Sequence, residues 1–452
     1  MTVGSFEDAL RPASVMAELA ATVPELVDGR VALLACRISR IRSLSGQDAW
    51  TAIYELDVRN AGTGREQTLT ARGVLTPSGV AFADVVDELP FGADGWSRTV
   101  PALRLNLVGV AGDDALPGLD AIIDPGQGRL MLEMCLHASG RLPPGVKLTT
   151  CIPTVVAHKS GVRAAVVCQL RYDEDQTTAP RAVVVKVHHD DTGQRAFEAM
   201  RSLSRSTGDD IALAEPIDYL PELRLSIQEY VEHRCTLKDL FHSTFDAGTE
   251  AWAQLVLATR ATAAGLAALH GSDCAIGEAV SWDQELATLR TKQDRLARVM
   301  PALTDRIGSV PDRLASAAAS VLSDPLAPAH HSFRPAQVLL TEDGVAFIDF
   351  DSFCRAEPAS DIALFTAKLQ HMAVNKVTTS LSESSRRAGF HELREAFLDE
   401  YRRHAPVSPG RVALWEALEL TSLVLSAAKK VNEPWLDSCQ GMLEDHLQSS
   451  GW

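Results

Sequence analysis

Five segments between residues 182 and 364 of this 452-residue chain place polar or charged side chains beside apolar runs. In chain order they are 182–187 with Lys186, 225–231 with Glu229 and Val231, 330–337 with His331, Ser332, Arg334 and Gln337, 345–351 with Asp349 and Asp351, and 357–364 with Asp361. A lysine in an apolar strand costs free energy unless its ammonium group meets an anion. Lys186 therefore either occupies a surface or edge position or holds an anion.

In this order and spacing, and with Glu198 on a predicted helix twelve residues after Lys186, the segments resemble one branch of the protein-kinase fold. That branch is the aminoglycoside phosphotransferase and choline-kinase-like family, and the resemblance covers about residues 150–430. The family has a strand lysine, a helix glutamate, a catalytic loop H-G-D-x-x-P-x-N-V-L, an I-D-F-D strand end and a D-P-x-x-D-L-A segment. The resemblance implies a protein that uses ATP and Mg²⁺ to phosphorylate a hydroxyl group of a small molecule.

The resemblance assigns nucleotide-binding roles by position. It implies that Lys186 contacts the α- and β-phosphates and that Glu198 orients it. It also implies that the backbone around Glu229 and Val231 faces adenine at a hinge between lobes. No G-x-G-x-x-G motif is present, so the turn at Ser160 and Gly161 is the only candidate for a phosphate-covering loop.

The remaining implied roles concern the metal and the catalytic loop. Asp349, with Gln337 and Asp351, would hold Mg²⁺, because oxygen ligands suit this hard cation. Asp361 would fix the catalytic loop rather than perform chemistry, and His270 is interpreted as a packing residue.

The catalytic loop departs from the family pattern at three positions. Ser332 stands at the position of the base Asp, Gln337 at that of the metal-binding Asn, and His331 at that of a Gly. A serine does not accept a proton at neutral pH as a carboxylate does, whereas Gln337 keeps the amide oxygen on a longer side chain. Arg334 adds a positive charge to the loop.

Two functions are compatible with this loop. In the first, the protein is an active kinase, because the loose transition state of phosphoryl transfer asks little of a base, and His331 or Asp351 accepts the proton late. In the second, it is a pseudokinase that binds nucleotide or a partner protein without turnover, since losing a positioned base costs roughly 10²–10⁴-fold in rate. A scaffold that binds no nucleotide is a variant of the second function.

Hydrophobic periodicity predicts strands within 31–75 and 151–190 and mostly helices from about residue 196 onward. The predicted fold class is α+β: a two-lobed protein-kinase-like fold with a small β-rich lobe, a large helical lobe and an extra N-terminal α/β region. The predicted domains are 1–145, an N-terminal extension, 146–232, a kinase-like N-lobe, and 233–452, a helical C-lobe. Helices are predicted at 192–205, 236–245, 249–270, 283–300, 310–323, 359–374, 389–403 and 409–446.

The N-terminal extension weakly echoes the β-rich lobe. Ser45 and Gly46 open a strand pair that ends near Arg72, as Ser160 and Gly161 open one that ends at Lys186. The extension is either a degenerate copy of that lobe, with Arg72 at the position of Lys186, or an unrelated pair of hairpins.

Composition narrows the class of protein further. The formal net charge of −16 argues against a nucleic-acid binder and is compatible with a cationic acceptor. No apolar stretch predicts a membrane span or a signal peptide, and the eight cysteines are scattered without a CxxC pair. We therefore expect a reduced, cytoplasmic protein, and the excess of arginine over lysine suggests a bacterial source. The expected partners are a nucleotide, a small-molecule hydroxyl acceptor and, through the N-terminal extension, a protein.

Two histidines followed by two aspartates at 188–191 give the appearance of a metal cluster. Adjacent residues on a strand point to opposite faces, so this run is interpreted as a solvated turn.

Overall fold

A computed structural model describes residues 6–43, 50–75, 91, 96–109, 116–159, 161–173, 178–206, 212–245, 247–298, 300–375, 381–430 and 432–452. The chain forms two compact units. The first unit comprises Met1–Gly112, Leu286–Ala315 and Leu420–Trp452, and the second comprises Asp113–Glu285 and Ser316–Glu419. The three-part division predicted from the sequence stays a prediction.

The described helices include long ones in the C-terminal half and short ones near the N-terminus. They are α1 (Phe6–Ala9), α2 (Pro12–Thr22), α3 (Pro24–Val27), α4 (Pro117–Ile123), α5 (Pro125–Ala138), α6 (Thr192–Ser206), α7 (Leu237–Thr244), α8 (Thr249–His270), α9 (Trp282–Ala297), α10 (Ala302–Ile307), α11 (Val310–Ala318), α12 (Pro358–Val374), α13 (Glu383–His404), α14 (Pro409–Ala428) and α15 (Glu433–Ser449). Among them, none combines the length and apolar character that crossing a membrane requires.

The described strands form two five-stranded sheets and two smaller ones. They are β1 (Val31–Ser43), β2 (Trp50–Asn60), β3 (Glu66–Leu75), β4 (Ser97–Val100), β5 (Leu105–Gly109), β6 (Leu148–Lys159), β7 (Arg163–Tyr172), β8 (Ala182–His188), β9 (Ala212–Leu213), β10 (Pro216–Leu220), β11 (Leu225–Glu229), β12 (Cys235–Thr236), β13 (Ala327–Ala329), β14 (Val338–Leu340), β15 (Val345–Phe347) and β16 (Cys354–Ala356).

Three helix predictions differ clearly from the structure in extent. The predicted helix 310–323 ends at Ala318, and the predicted helix 389–403 begins at Glu383. The predicted helix 409–446 is two helices, α14 and α15. The Asn432 side chain accepts the backbone N–H of Trp435 at 3.1 Å and so caps a new helix. Pro434 lies two residues after Asn432, in the first turn of the helix, where the N–H that proline lacks would have no partner within the helix.

The first unit contains an antiparallel sheet in the order β1-β2-β3-β5-β4. Burial alternates along β2, so that Tyr54 is fully buried and donates its hydroxyl to the Ala9 carbonyl at 2.8 Å. Gly73 on β3 leaves room for the Tyr54 ring and for Leu105, whose Cδ1 would lie 2.6 Å from a Cβ at that position. The packing of this sheet thus depends on a glycine facing an aromatic ring.

The second unit repeats this sheet topology with different strands. Its antiparallel sheet has the order β6-β7-β8-β11-β10, which is the same arrangement in chain order. In both sheets the last two strands are joined by a 3₁₀ turn of sequence Pro-x-Leu, followed by an arginine in the left-handed region, Arg104 (φ 50°) or Arg224 (φ 47°). The weak sequence echo therefore coincides with a shared topology. Ser45, Gly46 and Ser160 lie outside the described residues.

Strand register corrects the expected equivalence between Arg72 and Lys186. Leu75 pairs with Leu105 in the first sheet as Val187 pairs with Leu225 in the second. One residue earlier on each strand, Val74 therefore takes the position of Lys186. Counting along the sequence misplaced the pair because only the hydrogen-bonded register defines equivalent positions.

Candidate active site

The second unit contains a cleft of about 810 Å³ between its five-stranded sheet and the residues around β14 and β15. One part of its wall is apolar, formed by side chains such as Val167, Val184 and Leu339. The other part carries Arg163, Lys186, Arg334, Gln337, Asp349 and Asp351. An apolar slot that leads to a charged end is suited to a base attached to phosphates.

Lys186 and two aspartates form the centre of the charged end. The Lys186 Nζ donates to Asp349 Oδ1 at 2.7 Å and to Asp351 Oδ1 at 2.8 Å, with its side chain 12% exposed. Burial alone would raise the pKa of Asp351, but Lys186 and His188 hold it well below its ordinary value. The structure thus brings together three of the predicted site residues as ionised groups.

Asp349 reaches this position through an unusual backbone conformation. Its φ is 74°, in the left-handed region, and a 3₁₀ turn, Phe350–Ser352, follows it. Aspartate tolerates this region better than most residues because its short polar side chain can bond locally. The turn buries Phe350 and leaves both carboxylates at the cleft.

The catalytic loop is held from below by Asp361, as predicted. This fully buried carboxylate accepts the backbone N–H groups of His330 and His331, each at 2.7 Å. It also lies 3.1 Å from His270 Nε2, while Tyr401 bonds the other ring nitrogen at 2.7 Å. His270 therefore acts through Asp361, which is a structural role.

Ser332 lies where the base is expected, but its neighbours do not make it a base. His330 Nε2 lies 2.9 Å from the Ile348 carbonyl, which can only accept, so this nitrogen carries the proton. His330 Nδ1 is then an acceptor for the Ser332 hydroxyl, 3.2 Å away. Buried His330 has a lowered pKa, since burial disfavours its charged form. The pair is a neutral hydrogen bond in place of the family's carboxylate.

Gln337 offers a ligand for a metal ion. Its Nε2 donates to Asp349 Oδ2 at 3.0 Å, and its Oε1 is buried without a hydrogen-bond partner among the described residues. A buried amide oxygen without a donor is costly unless a cation or water binds it. Beside the Asp349 carboxylate it suits Mg²⁺, which typically takes one or two carboxylates and completes its shell with phosphates and waters. Within the described residues, no group of three or more His, Cys, Asp or Glu side chains is arranged to hold a metal.

The raised pKa of His331 argues against its predicted role as a proton acceptor, which stays a prediction. Its φ of 56° explains why the family has glycine here. Burial opposes its charge, but Cys354, Glu285 and Asp361 outweigh this and raise its pKa well above the ordinary value. A histidine that is already protonated at neutral pH is a cation, not a base.

Glu198 is not brought to Lys186, so its predicted orienting role is corrected. The carboxylate is exposed on α6 and accepts Gln194 Nε2 at 3.0 Å. The buried stripe of α6 runs through Gly193, Ala196, Ala199, Met200 and Leu203, and Glu198 lies beside it. It lines a second cleft, of about 990 Å³, together with Arg195, Arg201, Arg205 and His331.

Several polar groups of the predicted adenine-binding segment, at Glu229 and Val231, are already bonded within the protein. The Glu229 N–H donates to the Glu215 carbonyl at 2.8 Å and its carboxylate pairs with Arg141 at 2.6 Å. The Val231 carbonyl lies 2.8 Å from His233 Nδ1. Both Glu229 and Val231 line the cleft, and the Val231 N–H bonds no group within the described residues.

Of the remaining predicted residues, Arg334 lines the cleft, whereas Gly161 is not among its lining residues. Arg334 lies 3.9 Å from Asp349 with its side chain 43% exposed. Gly161 adopts a φ of 67° in the turn before β7, where the Val162 N–H donates to the Lys159 carbonyl at 3.0 Å.

Sequence reasoning missed Arg163 and misinterpreted His188. Arg163 Nη1 contacts Asp349 Oδ1 at 3.2 Å and also contacts Asp351. His188 is 2% exposed, and its Nε2 lies 3.1 Å from Asp351 Oδ2. The solvated-turn interpretation is wrong for His188. The signal was available, because residues two apart on a strand share a face, and His188 is two residues after Lys186.

Comparisons with known proteins agree with this geometry. A family model, the phosphotransferase enzyme family, matches residues 173–410, more than half of the chain, so the chain belongs to that family. No sequence among curated proteins matches it.

Among solved structures, a glucosamine kinase in crystal form A has a TM-score of 0.51 at 17% identity, covering 96% of this chain and 97% of that one. Crystal form B has a TM-score of 0.50 at 17% identity, covering 96% and 100%. A choline kinase from Cryptosporidium parvum has a TM-score of 0.49 at 12% identity, covering 70% and 94%. At these identities the glucosamine kinase forms show the fold alone, and the predicted α+β, two-lobed protein-kinase-like fold is confirmed.

Proposed function

We propose that the protein uses ATP and Mg²⁺ to transfer a phosphoryl group to a hydroxyl of a small molecule. The observation that carries this proposal is the meeting of Lys186, Asp349 and the unpartnered Gln337 Oε1 at the charged end of one cleft. Phosphoryl transfer needs positioning and charge stabilisation more than covalent chemistry from the protein.

The residues divide this work between them. Lys186 binds the phosphates closest to the nucleoside, and Asp349 with Gln337 holds the metal. A metal ion held by Asp349 and Gln337 would supply positive charge against the charge that develops on the transferred phosphoryl group. The apolar wall and the Val231 N–H receive adenine.

The acceptor enters by the second cleft. Asp351 and His331 lie in this cleft, and Asp351 also lines the nucleotide cleft, so the two clefts meet at the proposed phosphate end. The second cleft carries three arginines against three carboxylates, those of Glu198, Glu278 and Asp351, so apart from His331 its formal charge is balanced, in contrast to the net charge of −16 of the whole chain. Acceptors without positive charge therefore belong in any test beside cationic ones.

A pseudokinase is the second candidate, and one observation favours it. Neither Ser332, bonded to neutral His330, nor His331, already charged, accepts a proton from the acceptor at neutral pH. Asp351 is engaged by Lys186, Arg163 and His188 together. Under this alternative the cleft binds nucleotide without turnover.

Nucleotide consumption separates the two candidates. Purified protein with Mg²⁺ and ATP is assayed against a set of hydroxyl compounds of similar size and different charge, namely glucosamine, glucose and gluconate. Choline and an aminoglycoside are assayed beside them. Transferase activity predicts acceptor-dependent ADP release that Asp349→Ala abolishes. Release no faster than in Asp349→Ala, together with thermal stabilisation by ATP, supports the pseudokinase. The Ser332→Asp variant then tests whether a carboxylate restores turnover. No stabilisation by millimolar ATP or ADP contradicts both nucleotide-binding candidates and leaves only a scaffold that binds no nucleotide.

A further inference from the structure

Arg163 is a cation at the charged end of the cleft to which the family resemblance assigned no role. It is the first residue of β7, two positions after Gly161, and its register partner is His188 on β8. Its side chain is 38% exposed, in contrast to 12% for Lys186. Arg163 therefore lies at the more solvent-exposed side of the charged end of the cleft, and Lys186 lies deeper in it.

Asp349 and Asp351 each have polar partners on both carboxylate oxygens without Arg163. Asp351 Oδ1 accepts Lys186 and its Oδ2 lies beside His188, while Asp349 accepts Lys186 through Oδ1 and Gln337 through Oδ2. Arg163 touches both carboxylates through Nη1 alone. Its Nε and Nη2 bond no group in the described part of the chain. The Nε–H and the two N–H groups of Nη2 are thus three further donors at the cleft.

The charge balance predicts where these donors act. Arg163, Lys186 and Arg334 lie against Asp349 and Asp351, so these five side chains have a formal charge of one positive unit. A divalent cation at Asp349 and Gln337 competes with Arg163 for the Asp349 oxygens and adds two positive charges, which the phosphates of a nucleotide offset. A guanidinium is well suited to bind phosphate, because its planar fork donates two parallel hydrogen bonds.

We propose that Arg163 binds the terminal phosphates of the nucleotide and makes affinity depend on the number of phosphates. This inference rests on the proposed nucleotide binding. Lys186 and Arg163 then hold the phosphate chain from two strands of the sheet, which provides contacts that a glycine-rich loop supplies with backbone N–H groups.

Calorimetric titration with adenosine, AMP, ADP and ATP tests the proposal, in Mg²⁺ and again in EDTA. The variants are Arg163→Gln, Arg163→Lys and the control Arg171→Gln, which removes the same charge from an exposed position of the same strand. Arg163→Gln is expected to weaken ADP and ATP about 10- to 100-fold, as loss of a charged hydrogen bond does, and to leave adenosine unchanged. Arg163→Lys recovers part of the loss, and Arg171→Gln binds like the wild type.

The phosphate series distinguishes contact from support. Equal losses for adenosine and ADP would assign Arg163 to holding Asp349 and Asp351 and overturn the proposal. So would a loss seen in Mg²⁺ but not in EDTA, because that pattern belongs to the metal ligands. If the wild type binds ADP and Lys186→Ala weakens it while Arg163→Gln does not, only this inference fails. If the wild type binds no nucleotide, the proposed function fails with it.

Discussion

The two five-stranded sheets share a strand order and differ in what they carry. In each sheet a Pro-x-Leu turn joins the last two strands, and an arginine with a left-handed backbone conformation, Arg104 or Arg224, follows the turn. At equivalent register positions the first sheet has Val74 and the second has Lys186. The equivalent position is therefore uncharged in one sheet and part of an ion cluster in the other, although the first sheet has a buried ion pair elsewhere, between Arg98 of β4 and Glu25. The shared strand order is consistent with a duplicated lobe.

This difference shows that the five-stranded sheet alone does not produce the ion cluster. A lysine at the strand position is held only because Asp349 and Asp351 lie opposite it in the second unit. The Val74 position of the first sheet needs no anion, and nothing charged has to be compensated there. Function depends on the partners that the catalytic loop and the strand end supply.

The largest expected effect comes from making the second sheet resemble the first. Lys186→Val removes the ammonium group that bonds the buried carboxylates of Asp349 and Asp351. Removing one partner of a buried ion pair typically costs about 3–5 kcal/mol. We expect a loss of this size in the free energy of unfolding, measured by chemical denaturation. Arg72→Val, at an exposed position of the first sheet, is the control and stays within about 0.5 kcal/mol. Equal stability of both variants would contradict the ion-cluster account.

A smaller effect is expected from crowding the first sheet. Gly73→Ala brings a Cβ against the Tyr54 ring and Leu105, and overpacking of this kind costs about 1–3 kcal/mol. Gly441→Ala, on α15 with no atom within 4 Å of its added Cβ, is expected to be neutral or stabilising. Thermal unfolding checks both signs. ADP affinity should not change in either variant, and a large loss in Gly73→Ala would show that the site is not confined to the second unit.

The smallest effect is a pH dependence. The folded pKa values of Asp349 and Asp351 lie below the ordinary value of 3.8, so their ionisation stabilises the fold above about pH 4. This stability is lost as the pH falls from there through the lowered values. The free energy of unfolding of the wild type should therefore fall on acidification below pH 4, and Asp351→Asn should show a shallower fall. Parallel curves would indicate that Asp351 is not ionised through Lys186 and His188.

The local motifs were predictable, and their contacts only partly so. Lys186, Asp349 and Gln337 were assigned to the site by the family resemblance, which depends on the order and spacing of short segments beside apolar strands. Arg163 was missed because its role depends on pairing across two strands, which no local pattern reveals. Glu198 was misassigned because a residue one position off the buried stripe of a helix faces a different cleft.

The most direct test of the central claim is ADP binding, measured by calorimetry, to the wild type and to the exchanged pair Lys186→Val and Val74→Lys. The account predicts that the wild type binds ADP, that Lys186→Val loses at least about tenfold in affinity, and that Val74→Lys matches the wild type. ADP binding by Lys186→Val as tight as in the wild type would contradict the claim that the charged cleft of the second unit is the nucleotide site.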